Sequence, residues 1–317
     1  MALHVAGGGT AYKKRKKSVL AQMKEQKVLL LMIFPIVAWI IIFAYIPLVG
    51  WTMAFQDYRP QFGFFEQTWV GFRHFIALYE SPTFGIALRN TIGMGLLGLI
   101  FNFLSAITFA VLVNELRFFK FKRIIQTISY LPHFVSWVIV GNLVITMLAP
   151  DGAINNLLVW LGIFDSPLHF MAQPNMFWGI ITSSDVWKST GWGAIIYLAA
   201  MAGIDPGLYE AAEMDGANRW QRIKNITLPG IRPTIMVLLI MSVGNVINIG
   251  FERQMILGNN IVMNQAIVVE WYALNYGIGL FRFSYGTAVG MFRSFVSIVL
   301  LLMANGVARK MGEGRII

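Results

Sequence analysis

The sequence predicts an all-α, polytopic membrane protein with six transmembrane helices, and three observations carry that expectation. Apolar residues make up 57% of the 317-residue chain and charged residues only 13%, against about 25% charged in ordinary soluble domains. Mean hydropathy is +0.64. Windows of the roughly 20 apolar residues that cross a bilayer core fall at 28–50, 87–112, 127–149, 176–201, 234–256 and 286–307. This composition excludes a disordered tail, a collagen-like chain and a typical water-soluble enzyme. The absence of cysteine excludes disulfides, thiolate zinc sites, iron–sulfur clusters and thiol nucleophiles.

The first window is too long for the apolar region of a signal peptide, and no small-residue cleavage site follows before Trp51, so it reads as a span. Windows one to three carry no charge except Arg89 at a rim. The fourth holds Asp185 and Lys188, the fifth Glu252 and Arg253, and the sixth Arg293, which makes these three candidate sites as well as spans. The segments 51–86, 150–175 and 257–285 are rich in Pro, Gly, Asn and aromatic residues, as expected of external loops and interfacial helices. With the N-terminus inside, 18 of the 25 basic residues fall on the cytoplasmic side and only Arg59, Arg73 and Arg282 outside, a bias that puts both termini in the cytoplasm. Residues 1–27 then form a basic tail, 28–307 the membrane domain and 308–317 a C-terminal tail. The Lys13–Lys17 run is read as a topogenic signal in contact with anionic lipid rather than as a nucleic-acid site.

Between the fourth and fifth windows lies AGIDPGLYEAAEMDGANRWQRIKNITLPGIRPT, residues 202–234, far longer than a turn needs. Asp205 followed by Pro206 is an N-cap with proline at the first helical position, and Glu210 and Glu213 suit the N-terminal half of a helix over 206–214. Gly216 is placed to end that helix in a left-handed conformation. Asn218 then caps a second short helix bearing Trp220, Ile223 and Thr227, which Pro229 and Pro233 are expected to break. The result is a helix-turn-helix elbow on the cytoplasmic side. Spacing alone fits equally an amphipathic loop resting on lipid headgroups.

The stretch Glu210–Pro229 matches E-A-A-x3-G-x9-I-x-L-P at Glu210, Ala211, Ala212, Gly216, Ile226, Leu228 and Pro229. It thereby resembles the inner-membrane permease subunits of binding-protein-dependent ABC importers. WVGFRHF at Trp69–Phe75, ALRNT at Ala87–Thr91, YLPHFVS at Tyr130–Ser136 and DGAINNLLVWLG at Asp151–Gly162 look like the maltose-type carbohydrate permeases, possible relatives including the permease of an alginate-oligosaccharide importer. Ile223 departs from the phenylalanine common in relatives but stays apolar. The resemblance implies a second permease subunit, two ATP-binding cassette subunits, an extracytoplasmic solute-binding protein and an oligosaccharide substrate, in a bacterial inner membrane. It also implies that the loop 203–233, with Asp215 beside Gly216, couples to the ATPase, its first helix seated in an ATPase groove with Glu210 as a polar anchor.

The chain itself lacks the G-x4-G-K-[ST] loop that cradles nucleotide phosphates, so ATP and Mg are expected on the partner subunits. His4, His74, His133 and His169 show no ligand spacing and are read as interfacial or packing residues, with no metal assigned. Lys188 and Trp192 share a face of the fourth window and Asn245 and Asn248 a face of the fifth. These four are the candidates for a sugar path, which needs hydrogen-bonding groups interleaved with aromatic platforms. Asp185, one turn from Lys188, could instead simply neutralise it. A secondary transporter is disfavoured by the lack of a repeat between the halves, and an intramembrane enzyme by the lack of a nucleophile and base at matching depth.

Overall fold

Residues 25–310 are described by the computed structural model; the Lys13–Lys17 run and the remainder of 1–24 and 311–317 lie outside the described residues. Among the described residues, five helical stretches are long and apolar enough to cross a membrane: Lys27–Phe55, Pro82–Asn114, Trp137–Trp160, Arg219–Gly244 and Phe283–Lys310. The chain divides into two units at Thr52 and Met53. The first contains α1 (Lys27–Ile40), whose leucine-, isoleucine- and valine-rich sequence continues through a π turn at Ile41–Tyr45 into 3-10 turns over Ile46–Phe55.

The second unit starts with a two-stranded ribbon, β1 (Gln56–Asp57) antiparallel to β2 (Thr68–Trp69), a small departure from the all-α expectation. Helices α2 (Arg73–Tyr79) and α3 (Pro82–Asn114) follow, the latter capped by Ser81 with proline in its first turn. Next come α4 (Phe119–Tyr130), a 3-10 turn at Leu131–Phe134, α5 (Trp137–Leu148), α6 (Ala153–Trp160) and α7 (Pro174–Ala202). The rest comprises α8 (Pro206–Met214), α9 (Arg219–Arg222), α10 (Leu228–Gly244), α11 (Glu252–Leu257), α12 (Met263–Ala266), α13 (Val269–Ala273) and α14 (Phe283–Lys310).

The centre of the unit is α3 packed along α7. Ala106, Ala110 and Ala194 are fully or almost fully buried beside Tyr197, Met201 and Ile231, small residues letting the two backbones approach as lipid-embedded helices require. A side chain at Gly191 of α7 would stand 2.1 Å from the Ser129 carbonyl of α4. Gly191→Val is therefore expected to push α4 off α7 at a cost of about 1–3 kcal/mol, read as a lower thermal unfolding temperature of the purified protein.

Two expected spans are broken. The window 127–149 becomes α4, the 3-10 turn and α5, because Pro132 offers no N–H and Ser136 restarts the helix as an extended N-cap. The window 234–256 ends as helix at Gly244, so Asn245 is its C-cap and Asn248 lies beyond it; the two do not share a helix face. Conversely, Pro233 does not break α10, and α9 runs into α10 through a π turn at Ile223–Thr227 that ends just before Pro229, whose missing N–H such a turn accommodates.

The segment 257–285 is no mere surface loop. Leu257, Val262, Ala266, Val268 and Trp271 are buried against Met94, Phe177 and Ile181. Irregular backbone at that depth must be hydrogen-bonded internally, and α3 supplies the partners. Asn90 Nδ2 donates to the carbonyls of Asn264 and Ile267 at 2.9 and 2.8 Å, and Thr91 Oγ1 accepts from Val269 N at 2.9 Å. The ALRNT motif is thus a clamp. Asn155, in the DGAINNLLVWLG stretch, similarly donates to Leu148, Ala149 and Leu168 carbonyls and accepts from Leu168 N.

Candidate functional site

Two sites lie at different places on the second unit. The first is the elbow. Asp205 accepts from Gly207 N at 2.9 Å to start α8, whose bounds are those expected. Gly216 has φ +78°, and the pair Ala217 N to Ala212 O and Gly216 N to Glu213 O closes the helix as a Schellman turn. Asn218 and Gln221 then form a reciprocal capping box at the start of α9. Tyr209 and Thr227 share a hydroxyl hydrogen bond of 2.9 Å, and Arg222 approaches Glu213 to 3.4 Å, tying the two arms together. Every turn of this hairpin is capped by its own residues.

Its surface is unlike that of a settled core. Leu208, Met214 and Trp220 are exposed, Met214 by 89%. Glu210, Ala211, Asp215, Gly216 and Pro229 are also exposed, whereas Ala212, Ile226 and Leu228 are half-buried where the elbow meets its own second arm and α10. The matched motif therefore divides into an outward part and a part that holds the hairpin.

The second site is a cavity of about 460 Å³ between α3, α7, α10 and α11. Trp192 and Asn245 line it, as do Asn102, His133, Asp185, Ser189, Ser242 and Arg253. Lys188 and Asn248 are not among its lining residues. Asn248 Nδ2 donates to Ser297 Oγ at 3.2 Å, tying the end of α10 to α14. Lys188 is buried, and its ammonium donates to the Pro132 and His133 carbonyls at 3.3 and 2.6 Å. It thus serves the His133 carbonyl at the break between α4 and α5 and adds to the bond that the Pro132 carbonyl already accepts from Val135 N at 3.2 Å.

Asp185 acts on Lys188 electrostatically, but the two form no direct ion pair. It accepts instead from Arg253 Nη1 at 2.5 Å and from Asn102 Nδ2 at 2.9 Å, joining α7 to α11 and α3. Trp137 lies between the cations, with Arg253 and Lys188 each 5.8 Å from its ring centre. His133, read from sequence as a packing residue, stacks on Trp192 at 4.5 Å with the rings 2° from parallel, and so forms part of the cavity wall. The intramembrane charges flagged Asp185 and Arg253 in the sequence, but nothing local showed that they meet. Lys188→Met should leave the His133 carbonyl without its ammonium donor and lower the unfolding temperature by a few degrees, since hydrogen bonds to a charged group contribute about 1.5–3 kcal/mol.

Long apolar helices around a polar cavity, with a self-capped hairpin at one end, define a membrane permease rather than an enzyme built on a nucleophile. The chain belongs to the family of binding-protein-dependent transport system inner membrane components, whose model matches residues 106–312. It is 41% identical over 302 residues to the polygalacturonan/rhamnogalacturonan transport system permease protein YteP of Bacillus subtilis (strain 168), covering 95% of this chain and 94% of that one. Protein LplB of the same organism is 40% identical over 296 residues, 93% of each chain. Among solved structures, a chain of a bacterial ABC transporter involved in the import of the acidic polysaccharide alginate superposes with TM-score 0.84 at 39% identity, over 93% of this chain and 99% of that chain. A second, of the bacterial alginate ABC transporter in complex with an alginate pentasaccharide-bound periplasmic protein, gives 0.85 at 38% identity, over 95% and 100%.

Proposed function

We propose that this chain is a permease subunit of an ATP-driven importer of acidic oligosaccharides in a bacterial cytoplasmic membrane. It crosses six times with both termini inside, pairs with a second permease, receives substrate from an extracytoplasmic binding protein and is driven by two ATPase subunits that hold ATP and Mg. The observation that carries the coupling role is the elbow, a rigid hairpin whose Glu210, Ala211 and Asp215 face outward beside the exposed Leu208, Met214 and Trp220. Such a surface fits a protein groove. The basic-residue bias supports the orientation. Helix α7, at 29 residues, serves as the remaining span, since its charged groups are engaged inside the bundle and need not meet lipid.

Acidic cargo is supported by the names of the relatives, one for polygalacturonan and another for the acidic polysaccharide alginate. Trp192 and Asn245 then belong to the substrate path, while Lys188 and Asn248 support it from behind. The test is uptake into vesicles holding the full complex, with ATP inside and loaded binding protein outside. ATP-dependent uptake of an acidic oligosaccharide is expected. Uptake that persists without the ATPase subunits would overturn the reading in favour of a secondary transporter.

A further inference from the structure

The cavity wall brings together two cations and one carboxylate. Arg253 lines the cavity, Lys188 lies just behind it, and Asp185 is the acidic residue among its lining residues. Glu252, one residue before Arg253, is exposed and is not part of the lining, and Glu270 is occupied by Arg293 in a separate cavity. Counted with Lys188 behind it, this part of the bundle is one negative charge short among the described residues, in surroundings where an uncompensated charge is costly.

A second observation points the same way. Arg253 spends Nη1 on Asp185, while its Nε is buried without a hydrogen-bond partner. His133 Nδ1, of another residue of the same wall, is likewise buried and unpartnered. A guanidinium recognises a carboxylate in the plane of its fork, and a carboxylate arriving at Arg253 would supply the missing charge. Trp192, 46% exposed and stacked on His133, offers a flat face in the same cavity for a sugar ring of the chain that bears the carboxylate.

We infer that Arg253 is a specificity-determining residue that receives the carboxylate of a uronate unit of the passing oligosaccharide, with Asp185 as the residue that positions its guanidinium. The inference rests on the acidic-import reading above and adds to it a residue. Charge complementarity of this kind sets selectivity more than bulk affinity.

The test compares trigalacturonate with its methyl ester in vesicles containing the complete complex and binding protein. The double variant Asp185→Asn, Arg253→Gln keeps a hydrogen-bonding pair but removes the guanidinium, and Arg253→Lys keeps the charge. Free-acid uptake should fall about tenfold in the double variant, the factor that 1.4 kcal/mol of lost interaction represents, with ester uptake within about twofold and Arg253→Lys, which keeps the charge but loses the fork, falling less. If the binding protein rejects the ester, the contrast between the double variant and Arg253→Lys decides. An unchanged acid rate in the double variant would overturn the inference, and so would an equal fall in the double variant and Arg253→Lys, which marks a packing role. A wild-type complex that fails to move the free acid sinks the acidic-import reading itself, and the inference with it.

Discussion

Gly216→Val is expected to abolish the stimulation of ATP hydrolysis by loaded binding protein, while the altered permease still inserts and still assembles with its partners. The cause is confined to the backbone. Gly216 sits at φ +78°, and a side chain there would meet nothing within 4 Å, so no clash contributes. The left-handed conformation alone costs a residue with a Cβ roughly 1–2 kcal/mol, more for a β-branched one. That is a large fraction of what holds the hairpin, because α8 has nine residues and α9 four, far below the length at which helices are stable alone. Losing the turn also frees the Schellman bonds of Gly216 and Ala217 and loosens the pairing of Tyr209 with Thr227. Gly216→Asn should retain most of the stimulation, since asparagine tolerates this region. Normal stimulation in the valine variant would remove the coupling role from this loop.

The elbow was the most legible part of the chain because all its determinants are local. Asp205 and Pro206 begin α8, Gly216 ends it and Asn218 caps α9, each acting within a few residues of itself. Long, largely apolar windows foretold α3, α7 and α14 for the same reason. The breaks in the third and fifth windows were not legible, because what makes a break tolerable comes from afar. Lys188 reaches the carbonyls of Pro132 and His133 from 55 or more residues along the chain, and Asn90 reaches Ile267 from 177.

The cavity was half legible, and its errors share a cause. Reading Asp185 and Lys188 as a pair applied the i, i+3 rule, yet in the bundle a nearer partner came from α11. Placing Asn248 on a face with Asn245 assumed a helix that stops at Gly244. Trp192 and Asn245 were found because an aromatic and an amide stand out in apolar surroundings, whereas Asn102 and His133 needed the structure to show which way they turn.

Asp185→Ala should be the most destabilising single change in the membrane domain, because it strips the counter-ion from a guanidinium that is largely withdrawn from solvent. Side-chain exposures of 12% for Arg253 and 15% for Asp185 leave little water to replace the lost carboxylate. Removing one partner of such a buried pair costs about 3–5 kcal/mol, which corresponds to a fall of roughly ten degrees in the unfolding temperature. Asn102 Nδ2 loses its acceptor as well. The same physics makes the pair dispensable for folding when it is removed whole: Asp185→Ala with Arg253→Met should regain most of the lost stability, since apolar replacements of a buried ion pair are often neutral. Transport of acidic oligosaccharide should not return with it, because the guanidinium that reads the carboxylate is gone. Thermal unfolding of the purified complexes, measured beside uptake, separates the two roles. A double variant as unstable as Asp185→Ala would show that packing at these positions, and not the unpaired charge, accounts for the loss.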